Sequence, residues 1–119
     1  MADNKDYISR LEAEGSVNIS EDVISTIAVE AIKEIEGVGG VGSAMRREMA
    51  KKNAGRGVRI TVEEDRVTVD TVILVTYGHS VTETAKQVQS SVAKAVGDMT
   101  GLTVAAVNVT VSGVVFDKG

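Results

Sequence analysis

The chain has 119 residues, enough for one domain with a core of its own. Twenty-one valines, eight isoleucines and three leucines stand against three aromatic residues, so the core is expected to be aliphatic and rich in sheet. With no cysteine there is no disulfide, thiolate metal site or cysteine nucleophile, and the formal charge of −4 argues against a general nucleic-acid binder.

Residues 1–14 are polar, with Tyr7, Ile8 and Leu11 as scattered apolar points. They read as a flexible N-terminal arm or a short helix, ahead of a single domain over 15–119. They lack the apolar stretch of a secretion signal, and no run approaches the length of a membrane span. The expectation is a cytoplasmic protein without direct membrane insertion.

Val17 and Ile19 alternate with polar neighbours and predict a short strand. Ser20 is placed to cap a helix whose first turn carries Glu21 and Asp22. Val23, Ile24, Ile27, Ala28, Ala31 and Ile35 make its apolar stripe, and Gly37 is expected to close it in the left-handed conformation.

The next stretch, GVGGVG, spaces Gly37, Gly39 and Gly42 like a dinucleotide-binding loop. Such a loop must follow a strand and open a helix, so that pyrophosphate meets free amides. Here a helix comes first, and no G-K-[ST] follows. The glycines therefore read as a helix end and a mobile linker. Ser43 to Lys52 reads as a short extra helix with Met45 and Met49 as its apolar pair.

Residues 43–59 carry a net +5, which leaves −9 for the rest of the chain. Arg46, Arg47, Lys51, Lys52 and Arg56 are the candidate contacts for an anion or a partner. They carry the alternative functional reading, nucleic-acid or anionic-ligand binding through the basic 46–59 segment. Recognition of RNA by base stacking is disfavoured, because strand centres are Val and Thr rather than aromatic.

Val58, Ile60 and Val62, then Val67, Val69, Thr71, Ile73 and Val75, predict a hairpin turned by EEDR. Asp70 is expected near Arg59 across it. The second strand turns apolar on its other face at Val72 and Leu74. A strand apolar on both faces is covered on both, so these two residues are the candidate self-association surface. Lysine at both positions is expected to dissociate an oligomer and leave the chain folded.

His79 lies just before the last helix, where Ser80 and Glu83 have capping-box spacing. A single histidine without cysteine completes no usual zinc set, and no nucleophile or orienting acid is spaced for catalysis. Glu63, Glu64 and Asp65 read as a solvated turn. No catalytic residue, cofactor or metal is assigned. Val81, Ala85, Val88, Val92, Val96 and Met99 stripe the helix, Gly101 ends it, and Val107, Val109 and Val111 predict a closing strand.

The order strand, helix, two strands, helix, strand fits an α+β two-layer sandwich, βαββαβ-like and of ferredoxin-like type. With these elements placed, the sequence resembles the alkaline shock, or envelope stress response, protein family of Gram-positive bacteria. GSVNIS (15–20), VTVD (67–70), VTYGHS (75–80), KQVQSSV (86–92) and above all MTGLTVAAVNVTVSGVVF (99–116) carry the resemblance. It implies a small non-enzymatic domain linked to cell-envelope homeostasis, a homo-oligomer, and in some members attachment to a separate membrane-anchor protein.

Overall fold

The computed structural model describes residues 7–41 and 57–116. Within them the elements are β1 (Tyr7–Glu12), β2 (Gly15–Ser20), α1 (Glu21–Lys33), β3 (Val38–Val41), β4 (Val58–Glu63), β5 (Arg66–Thr76), α2 (Val81–Thr100) and β6 (Thr103–Val115). The α+β class expected from the alternation of patterns is the one observed. The short helix expected over 43–52 lies outside the described residues.

Two local caps begin the helices as their sequences imply. Ser20 Oγ accepts from the amide of Asp22 at 3.0 Å, and Ser80 Oγ accepts from that of Glu83 at 3.1 Å. Each bond satisfies an amide that the first helical turn leaves without a partner. At the far end of α2, Gly101 takes φ 77° and its amide returns to the carbonyl of Gly97. A left-handed residue is cheap there only as glycine.

The end of α1 differs from expectation. The helix stops at Lys33, and the amides of Ile35 and Val38 close tight turns on the carbonyls of Ile32 and Ile35. Gly37 is needed for close approach instead: a Cβ there would lie 2.5 Å from Thr84 Oγ1 and 3.2 Å from His79 Cβ.

The glycine run then forms a strand, not a linker. β3 pairs antiparallel with β5, with Val38 opposite Val75, Gly40 opposite Leu74 and Val41 opposite Ile73. A Cβ at Gly39 would collide with Val115 Cγ2. Glycine is thus retained where strands crowd together, a role that composition alone disguises as flexibility.

β5 is the axis of the four-stranded sheet. β4 pairs antiparallel with its first half and β3 with its second, while β6 pairs parallel along its other side. A parallel neighbour requires a long crossover, which α2 supplies. The first strand predicted from sequence, β2, stays out of this sheet and pairs antiparallel with β1. Residues 7–12 are a strand of this hairpin, with Ser9 Oγ donating to Asn18 Oδ1 at 2.6 Å.

Both helices pack on one face of the sheet. Ile24, Ala28 and Ile32 from α1 and Val88, Val92 and Val96 from α2 meet Val67, Val69, Ile73 and Val75 from β5, with Val58, Leu102, Val107 and Ile8 completing the core. Ile32 belongs to this core although the sequence stripe passed over it, whereas Val23 and Met99, counted in the stripes, are exposed. Among the described residues, Thr71 and Thr84 are the buried polar residues, and Thr71 is the one within the sheet. It is 2% exposed, and its Oγ1 donates to the carbonyl of Gly57 at 2.9 Å.

Candidate self-association surface

Alternation along β5 sends Thr68, Asp70, Val72, Leu74 and Thr76 to the face away from the helices. This face changes character along its length. At the polar end Arg59, Asp70 and Asn108 lie side by side on β4, β5 and β6. The expected register of Arg59 against Asp70 is present, and Asp70 Oδ1 also accepts from Asn108 Nδ2 at 2.9 Å.

At the other end Leu74 lies between two glycines. A Cβ at Gly40 would come within 3.2 Å of Leu74 Cδ1, and one at Gly113 within 3.1 Å of Cδ2. The leucine spreads into the room these residues leave on β3 and β6 and is half-buried. Val72 is only 5% exposed within the single subunit. The available apolar surface on this face is therefore small, and a lysine at Val72 would have to be buried, which costs stability before it touches association.

Larger exposed apolar groups stand just beyond. Tyr77, in the turn after β5, and Phe116, after β6, stack with ring centroids 4.9 Å apart and planes 18° from parallel. They are 67% and 70% exposed, and Val114 is 46% exposed. Val114 stands opposite Val75, so alternation places Val114 and Phe116 together on the side of the helices, not on that of Leu74. The aliphatic core takes neither ring. In the sequence the two aromatics are isolated residues; their adjacency follows from the parallel pairing of β5 with β6, which no local pattern announces.

β6 supplies a second uncovered feature. It pairs with β5 and, among the described residues, with no other strand. From α2, Gln89 Nε2 reaches its backbone at the Val107 carbonyl, 3.0 Å away.

The remaining candidates are dispersed. His79 is exposed in the turn before α2, and Glu63, Glu64 and Asp65 are exposed in the hairpin turn. Among the described residues no cluster of three or more His, Asp or Glu side chains could hold a metal ion, and no helix is long and apolar enough to cross a membrane. Arg46, Arg47, Lys51, Lys52 and Arg56 lie outside the described residues; Arg59 is exposed on β4. An open groove of about 650 Å³ separates α1 from α2, floored by Ile27, Ala31 and Ala95. Two of its rim charges, Lys94 and Asp98, pair with each other at 3.0 Å.

Comparison with known proteins places this arrangement. Variants of MamM CTD superpose with TM-scores of 0.50 for a nickel form and 0.51 for a copper form. The first matches 77% of this chain and 96% of its own at 18% identity; the second matches 78% and 96% at 17%. At that identity the likeness is one of fold. Among sequence relatives, YqhY of Bacillus subtilis is 32% identical over 107 residues, covering 87% of this chain and 79% of its own length. YloU of the same organism is 33% identical over 106 residues, covering 84% and 88%. Spy1535 of Streptococcus pyogenes is 34% identical over 106 residues, covering 87% and 82%. Residues 9–116 match the alkaline shock protein 23 family, and the chain belongs to that family, which has a cell envelope-related function.

Proposed function

We propose that the protein is a non-enzymatic, self-associating scaffold of the cytoplasm that serves cell-envelope homeostasis under stress. The observation that carries this reading is the Tyr77–Phe116 stack, left exposed with Val114 by a subunit whose own core is aliphatic. Exposed aromatic groups of this kind are common anchors of protein interfaces. The family assignment supports the setting, and the scattered placement of His79 and the turn carboxylates supports a binding role rather than catalysis. Contact with the membrane then comes through a separate anchor protein.

Sedimentation over rising protein concentration tests the reading. The wild type is expected to form an oligomer, and Tyr77→Ser with Phe116→Ser to shift it toward monomer with an unchanged circular dichroism spectrum. A wild type that stays monomeric at high concentration overturns it.

A further inference from the structure

We infer that the groove between α1 and α2 docks an amphipathic helix of a partner protein, one with lysine or arginine beside its apolar stripe. This goes beyond self-association and uses a different surface. The groove follows the second half of α2, whereas the Tyr77–Phe116 stack lies at the turn before α2 begins.

Each helix carries one apolar or small row more than the core uses. Ile24, Ala28 and Ile32 of α1 and Val88, Val92 and Val96 of α2 are buried against the sheet. Beside them run Ile27, Ala31 and Ile35 on one wall of the groove and Ser91, Ala95 and Met99 on the other. Residues four apart stand in line along a helix, so these are two facing rows. Met99 is 71% exposed, and the other five are half-buried. Small side chains at Ala31, Ser91 and Ala95 leave the floor low, and the opening measures about 650 Å³. From Ile27 to Ile35 the wall runs about 12 Å, the length of two helical turns. Two turns present apolar anchors at i, i+3, i+4 and i+7, the usual way a helix is held in a groove. The unbranched Met99 can adapt its shape to them.

The charge of the occupant follows from the rim. Glu30, Glu34 and Asp98 line the groove against one cation, Lys94. The three carboxylates lie in or next to the last turns of the two helices, where the helix dipole adds negative potential. The last turn of α2 has no basic residue to offset it. Lys33 pairs with Glu30 at 3.6 Å and Lys94 with Asp98 at 3.0 Å. Both pairs lie within one helix between side chains at least 60% exposed, so they are weak and an incoming cation can exchange them. Glu34 has no ion pair among the described residues. Nucleic acid, an anionic membrane surface or an acidic helix is repelled by this rim, and a second copy of the chain, at −4, is disfavoured on the same ground.

The probe is a labelled peptide of about 14 residues made of Leu and Lys, with Leu at i, i+3, i+4 and i+7. Titrated against the full chain, it is expected to bind and to shift amide resonances most at Ala31, Ser91 and Ala95. Glu34→Lys with Asp98→Lys should weaken binding about tenfold or more, since like charges then face each other. Both positions are exposed and lysine suits the end of a helix, so thermal unfolding should be unchanged. Glu14→Lys with Glu63→Lys makes the same change of charge at exposed positions elsewhere and should leave the affinity within about twofold. Absence of binding, equal weakening by the two double variants, or shifts centred elsewhere overturns the inference. So does binding that appears only when Arg46, Arg47, Lys51 and Lys52 are replaced by serine, because the chain's own basic segment is then the occupant. None of these results alters the sedimentation test of self-association.

Discussion

The two faces of β5 begin from similar residues and end in different surroundings. Toward the helices, Val67, Val69, Thr71, Ile73 and Val75 are each at most 2% exposed. On the other side only Val72 is buried, and Thr68, Asp70, Leu74 and Thr76 keep partial contact with water. Alternation within a strand says which residues share a face, not what lies over it. The difference is made by α1 and α2, which both settle on the same side. Stability should therefore reside on the helix side, and the other side should tolerate change.

Neighbouring residues give the sharpest test. Ile73→Ala empties a fully buried site and is expected to cost about 2–5 kcal/mol, read from urea unfolding. Leu74→Ala removes a half-buried side chain and should cost clearly less. Equal losses would mean that the second face is packed as tightly as the first, and the contrast would be gone.

A smaller effect separates the glycines that serve the two sides of Leu74 and its surroundings. Gly39→Ala brings a methyl group against Val115 and Thr76 and is expected to destabilise by about 1–3 kcal/mol. Gly113→Ala meets only Leu74 Cδ2, the end of a flexible side chain, and should cost less in the same thermal melts. Smallest is Thr71→Val, which keeps the shape of the buried side but removes the bond to the Gly57 carbonyl. That carbonyl still accepts from the amide of Val72 at 3.2 Å, so a loss of about 1 kcal/mol is expected.

Much of this architecture is legible in the residues themselves. The serine caps, Gly101, the β4–β5 hairpin and the stripe of α2 through Val88, Val92 and Val96 all follow from rules acting within a few positions. What was misread depends on distant partners. The run from Gly37 to Val41 has the composition of a linker and becomes a strand because β5 offers an edge and Val115 demands a residue without a side chain. β2 has the alternation of a sheet strand, yet pairs with β1, because β6 occupies the place beside β5. At the candidate surface, Val72 and Leu74 are legible as apolar, and how much of each is covered depends on neighbouring strands. The pairing of Tyr77 with Phe116, thirty-nine positions apart, exists only once β5 and β6 run parallel.

Among the described residues, β3, β4 and β6 are each stitched to β5 and not to one another. No smaller part of the sheet can survive once that strand lets go, so its amides should exchange with deuterium only when the whole domain opens. The β1–β2 ribbon has its own ladder but is pinned to the core by Ile8, so its turn end, around Leu11 to Gly15, should exchange early while the residues near Ile8 follow the sheet.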